Sequence, residues 1–326
     1  MTGIFKANNP SGNAILFFYA LVLKIPLFLH AFPPRLQPAD GILYKFLLQA
    51  TGRVGESFSS IYSIITFVLL FTQAITINKI VNSQRLHKVP NYLTGMSYLL
   101  VTSLFSEWFS LSAPLVVNSF VLWIFAMLCS LYSNPDPKAT IFNIGLLCGT
   151  VTFFYFPSGA FLLLIIGGIT VAKPFRLREW IAGMMGVIAP LYFIAAWLFL
   201  TDKLHLLTFP VFRFSYPHFF GNQWAYAAMA IIIIVFATGI YYINSNMNRQ
   251  VVQTRKSWQL LFLYIGVAAL VPFINGGINF SYWILPVLPL APVLGAAFFY
   301  PKNKIFPLLF HWGMVAIFIA VAFFNK

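Results

Sequence analysis

Only 6 of the 326 residues are Asp or Glu, so every carboxylate that could do chemistry can be weighed singly. Asp136, in Asn-Pro-Asp-Pro-Lys, and Glu179, in Arg-Leu-Arg-Glu-Trp, have the settings of a turn and of a helix start. Asp40 ends the stretch Pro33-Pro34-Arg35-Leu36-Gln37-Pro38-Ala39 and precedes apolar residues from Gly41 onward. A carboxylate there suits a general base that takes a proton from a hydroxyl, and equally an N-cap for a helix beginning at Gly41. Glu107 adjoins Trp108, which suits either a second working carboxylate or an interfacial anchor. The histidines, His30, His87, His205, His218 and His311, stand singly near the ends of apolar runs, which excludes the facing imidazoles of an iron-dependent membrane oxygenase. No glycine-rich phosphate loop, HExxH, nucleophile elbow or zinc spacing occurs, so soluble-type nucleotide chemistry is excluded as well. Cys129 and Cys148 form no CxxC pair and read as reduced structural thiols.

Among the cations, Lys24 is the one charge well inside an apolar run, two residues before Pro26. Its stem allows it to snorkel to the interface, or to stand in a groove against a lipid phosphate or the Asp40 carboxylate. Arg35, Arg53, Lys203 and Arg213, with His205 and His218, gather in two connections on one side of the chain. They suit a lipid-linked phosphate or ordinary headgroups. No expected span carries an Asp or Glu near its middle, which counts against an ion-coupled transporter.

The elements that must position these residues follow from composition. With 60% hydrophobic and 8% charged residues the chain cannot form a water-soluble domain, and runs such as 230–239, apolar on every side, exclude a β-barrel. The expectation is an all-α polytopic bundle, one transmembrane domain over 1–326, with about 11 spans of about 20 residues. The runs are 13–32, 57–78, 92–109, 113–132, 140–156, 158–172, 180–200, 223–243, 258–274, 281–299 and 305–324. Two longer connections remain, 33–56, with an amphipathic interfacial helix from Gly41 to Ala50, and 201–222. The net charge of +14 points to membrane orientation rather than nucleic acid. Alternate connections hold Lys6; Lys79, Arg85 and Lys88; Lys138; Lys173, Arg176 and Arg178; Arg249, Arg255 and Lys256; and Lys302 and Lys304. The other side holds Arg35, Lys45, Arg53, Lys203, Arg213 and Lys326, so the bias, roughly two to one, sets the N-terminus inside and the C-terminus outside.

A first span, an outward loop with an acidic residue near its end, an interfacial helix and a second acidic residue in the next outward loop together form a pattern. Through Pro38-Ala39-Asp40-Gly41-Ile42-Leu43-Tyr44 and Ser106-Glu107-Trp108, the chain resembles the GT-C superfamily of polyprenyl-phosphate-dependent membrane glycosyltransferases. As a whole it also resembles an uncharacterised bacterial inner-membrane family. The GT-C resemblance implies that Asp40 deprotonates an acceptor hydroxyl and that Glu107 orients the acceptor or helps hold a divalent cation. It implies a polyprenyl-phosphate-linked sugar as donor, an envelope acceptor on the outer side of the inner membrane, and membrane lipid as surroundings. Lys24, Arg35, Arg53, Lys203, His205, Arg213 and His218 would then face the leaving phosphate. The alternative is a non-catalytic inner-membrane subunit or a transporter of envelope components.

Overall fold

In a bilayer each backbone N–H and C=O must be satisfied within the chain, and among the described residues every regular element is a helix, apart from two single-residue bridges. The computed structural model describes residues 2–7, 9–29, 33–57, 60–174, 176–207, 213–214, 216, 223–275 and 280–324, without the side chains of 53–57 and 323–324. In chain order the α-helices are α1 (Thr2–Lys6), α2 (Gly12–Leu23), α3 (Ile25–Leu29), α4 (Ile42–Ser57), α5 (Ser60–Ser83), α6 (Leu93–Val101) and α7 (Ala113–Ser130). There follow α8 (Lys138–Phe154), α9 (Leu162–Ala172), α10 (Leu177–Leu200), α11 (Gln223–Met247), α12 (Val252–Leu270), α13 (Ile284–Phe299) and α14 (Ile305–Phe324).

Among the described residues, 7 helical stretches are long and apolar enough to cross a membrane: Ser60–Ser83, Ala113–Ser133, Leu177–Leu200, Gln223–Met247, Val252–Phe273, Phe280–Phe299 and Ile305–Ala322. The chain is a multi-pass membrane protein. The other expected spans come out shorter, each for a local reason. The first run breaks at Lys24 into α2 and α3. The run 92–109 gives only the 9 residues of α6, about 14 Å of helix. There the last turn tightens, the Ser103 N–H bonding the Leu100 carbonyl and the Leu104 N–H the Val101 carbonyl, three residues back instead of four. The run 140–172 divides into α8 and α9 because Tyr155 is extended and Pro157 follows.

The core lies around α6, every residue of which is buried, and α13, buried except at Leu290. α5, α7, α11 and α12 pack about them, and α10 lies along α8. A Cβ at Gly145 would stand 2.2 Å from the Gly183 carbonyl oxygen, and one at Gly186 2.2 Å from that of Phe142. Glycine is what lets those two backbones approach. Two helices end in αL turns made by residues other than glycine: Arg85 after α5 and Asp202 after α10, each with φ 53°. In both, the following N–H reaches back to the third residue from the helix end, Leu86 to Val81 and Lys203 to Leu198. Asp202 is thereby a helix terminator.

Candidate functional site

The site begins with a proline-rich segment that cannot be helical. Residues 33–37 are irregular, and Asp40 makes a single antiparallel bridge with Tyr155 at the break between α8 and α9. The Gly41 N–H donates to the Phe154 carbonyl at 2.8 Å and the Phe156 N–H to the Ala39 carbonyl at 3.1 Å. The approach is so close that a Cβ on Gly41 would meet the Phe153 carbonyl oxygen at 2.0 Å. The residue after Asp40 therefore has to be glycine. α4 then starts at Ile42 and is pinned from its other side, where the Tyr44 hydroxyl donates to the Leu111 carbonyl at 2.9 Å.

Asp40 is 6% exposed. Its Oδ2 accepts the Gln37 N–H at 2.8 Å, while Oδ1 is buried with no hydrogen-bond partner within the protein. The carboxylate thus reaches backward along the chain and gives α4 no capping bond, so the expected alternative of an N-cap role is set aside. Burial pushes its pKa up from the ordinary 3.8 to about 6, against the opposing pull of the Gln37 N–H and the Lys45 charge. The phenols of Tyr44, Tyr155 and Tyr282 lie within electrostatic reach of it. The Tyr155 and Tyr282 rings stack at 5.2 Å between centroids, and both hydroxyls are buried without a protein partner. Asp40 Oδ1 and the Tyr155 and Tyr282 hydroxyls are thus three buried polar atoms without a protein partner, which folded proteins seldom leave unused.

Asp40 lines two pockets. The first, about 290 Å³, brings it together with Glu107 and Arg35, beside Ser106, Ser110 and Tyr282. The second, about 350 Å³, brings it together with Lys45 and His205, beside Phe46, Phe153 and Leu206. Glu107 is exposed on the short helical turn Ser106–Phe109. Trp108, expected at the interface, is instead buried: its indole N–H donates to the Phe280 carbonyl at 3.2 Å and its ring stacks on Phe280. This contact fixes the Glu107 turn against the turn that carries Tyr282.

The other expected residues divide. Lys24 neither snorkels nor meets Asp40. It is fully buried, donates to the Thr102 hydroxyl at 3.0 Å and lies 5.1 Å from the centre of the Phe109 ring. It sits at the C-terminal end of α6, the negative pole of that helix. Lys203 and Arg213 are exposed and line neither pocket. The Arg213 backbone is instead tied to Asn275. The side chain of Arg53, and His218, lie outside the described residues. His87 and His311, expected near interfaces, are both buried. His87 is held by the Pro292 carbonyl and Asn91, and His311 by the Tyr19 hydroxyl.

Sequence reasoning missed Lys45, Tyr155 and Tyr282 as members of the site. Lys45 had a signal, one helical turn beyond Gly41. The tyrosines had none, because they arrive from distant parts of the chain. Asp40 and Glu107 offer the hard oxygen donors that a divalent cation prefers. Among the described residues no group of three or more His, Cys, Asp or Glu gathers, so further ligands would fall to hydroxyls, water or a substrate phosphate. What the arrangement can do without a metal is hold and move one proton at Asp40 between two differently lined chambers.

Residues 42–326 match DUF6427, a family of unknown function. The match takes in Lys45, Glu107, Tyr155, His205 and Tyr282 and begins two residues after Asp40. No curated protein and no solved structure matches the chain.

Proposed function

This chain belongs to DUF6427, a family of unknown function, and from that premise, which brings no inherited chemistry, we propose that it is a GT-C-like membrane glycosyltransferase. It moves a sugar from a polyprenyl-phosphate donor to a hydroxyl of an envelope acceptor on the outer side of the bacterial inner membrane, with its N-terminus inside and its C-terminus outside. The observation that carries this reading is the position of Asp40, a buried carboxylate with one unpartnered oxygen in the wall common to two pockets. Orientation rests on the basic residues. Two of those assigned to the inner side also receive helix ends, Lys6 bonding the last carbonyl of α13 and Lys256 that of α9.

In the proposed reaction the acceptor hydroxyl lies in the first pocket, oriented by Glu107 and Arg35. Asp40 takes its proton as the oxygen attacks the anomeric carbon. The bond from that carbon to the phosphate oxygen breaks, and the polyprenyl phosphate leaves with the electron pair. A carboxylate held near 6 suits this work, being ionised at neutral pH yet basic enough to accept a proton in the transition state.

The test replaces the base while keeping its shape. Asp40→Asn still offers an oxygen to the Gln37 N–H but cannot accept the proton. It should leave expression and folding intact and abolish the envelope-glycan product whose loss a gene deletion reveals. Glu107→Gln should have a smaller effect. Full complementation by Asp40→Asn would sink the general-base role and favour a structural or transport role.

A further inference from the structure

The cations on the proposed inner side, which no step of the reaction uses, are not all held alike. Around α8, α9 and α10 several are tied to groups of the chain itself. Lys138 pairs with Asp136 at 3.7 Å and Arg176 with Glu179 at 3.6 Å, while Lys173 bonds the Asn134 carbonyl and Lys256 that of Ala172. At the connection between α13 and α14 the last carbonyl of α13 engages Lys6. Lys302 and Lys304 are exposed there, and their ammonium groups have no hydrogen bond or ion pair among the described residues. Lys88 joins them from the connection after α5, its ammonium 5.8 Å from the centre of the Tyr300 ring. The acidic residues on that side, Asp136 and Glu179, are the two already paired, so these three lysines stand without a carboxylate.

Beside them a groove of about 420 Å³ lies between α11, α13 and α14. It is lined by Ala237, Tyr241 and Tyr242 on α11, by Pro301 just past α13, and by Phe306 and Phe310 on α14. Pro301 adjoins Lys302, and Phe306 is two residues from Lys304. Tyr242 stacks on Tyr300 at 6.5 Å between centroids, which links the groove wall to Lys88. Because Tyr242 stands five residues before the end of α11 at Met247, the groove reaches about 8 Å below that end, to the depth of acyl chains. Ala237, Tyr241 and Phe306 are exposed, so it opens toward lipid rather than into the bundle. Any groove on the flank of a membrane protein meets acyl chains. This one has unopposed cations at its mouth, where a headgroup of net negative charge gains and a zwitterionic one, bringing its own ammonium to the same lysines, does not.

We propose that this groove binds one anionic phospholipid of the leaflet that meets the α13–α14 connection, the inner one in the proposed orientation. One acyl chain lies between α11 and α14, and the phosphate rests on Lys302 and Lys304 with Lys88 beside it. The site rests on the lysines and the groove alone, so it stands or falls apart from the transferase reading.

The experiment titrates the full chain in a neutral detergent with dioleoyl phosphatidylglycerol or dioleoyl phosphatidylcholine and reads the first bound lipid by native mass spectrometry. The wild type should bind phosphatidylglycerol more than tenfold more tightly than phosphatidylcholine. Lys302→Gln combined with Lys304→Gln should weaken phosphatidylglycerol about 25-fold, at about fivefold for each lysine near an anionic headgroup, and leave phosphatidylcholine as it is. Arg178→Gln combined with Arg255→Gln removes as much charge from the same side and should change nothing. Ala237→Trp, which fills the groove from its open side, should weaken both lipids. Equal affinity of the wild type for the two lipids would overturn the proposal without recourse to any variant. An equal loss in the two double variants would replace the site with bulk charge, and undiminished binding in Ala237→Trp would remove the groove from it. Displacement of the lipid by glycerol 3-phosphate at equal concentration would show a seat for a free phosphate in place of a phospholipid.

Discussion

A carboxylic acid buried beside phenols destabilises the chain that carries it once it is charged. Asp40 keeps its proton to about pH 6 in the folded protein and to about 3.8 in the unfolded chain. The folded state therefore binds the proton more tightly, and stability falls as pH rises from about 4 through 6. The displacement corresponds to on the order of 3 kcal/mol at neutral pH. Asp40→Asn has no charge to bury and should melt higher than wild type at pH 7.5, the difference closing as the pH falls toward 4. Thermal unfolding in detergent across that range checks it, and an unchanged or lower melting point at pH 7.5 would contradict the burial argument. Of the residues at this site, Asp40 and Glu107 were legible because so few carboxylates exist to choose among. Lys24 was legible as unusual but not in its placement, because its partners, the Thr102 hydroxyl and the Phe109 ring, carry no charge that would mark them as its counterparts. Tyr155 and Tyr282 were illegible, since a phenol that gains its meaning from a stacked partner far along the chain leaves no local trace.

Helix ends and helix contacts set the next scale. The helix after Asp40 could be read from its prolines and apolar spacing, and α4 begins within one residue of the expected place. The stop of α6 could not be read from hydropathy, because the tightened turn at 103–104 that ends it lies inside a run that stays apolar through Leu104 and Phe105. The glycines at 145, 183 and 186 were equally silent until α8 and α10 were seen to lie together. Much of α10 is exposed, so its attachment depends on that seam. Gly186→Leu should cost roughly 1–3 kcal/mol by forcing the backbones apart and should open the 201–207 connection to limited proteolysis. Gly266→Ala, where a Cβ meets nothing within 4 Å, should leave the digestion pattern as it is. Equal protection of both variants would show that the seam does not hold α10.

For the molecule as a whole, sequence reading captured the all-helical membrane bundle, and the charge bias supplies the proposed orientation. A cysteine at Ser83 or Gln253 should stay shielded from a membrane-impermeant thiol reagent in intact cells, and one at Gln37 or Asp202 should be labelled. The background is low, because Cys129 and Cys148 are both buried. The reverse pattern would invert the map and move the site to the cytoplasmic face. The abrupt end of α6 has an electrical consequence. A helix of about 14 Å covers only half of a hydrocarbon layer about 30 Å thick, so under the proposed orientation the segment 102–112 that follows it would lie in an indentation below the headgroup plane. Across such an indentation the insulating layer is thin, and part of the membrane voltage drops between the bulk solution and the floor. A charged acceptor lowered to Glu107 and Arg35 would then cross a fraction of the field, worth up to about 2.3 kcal/mol per charge for each 100 mV if the whole potential fell there. Occupancy of the proposed site by such an acceptor would be sensitive to whether the cell is energised.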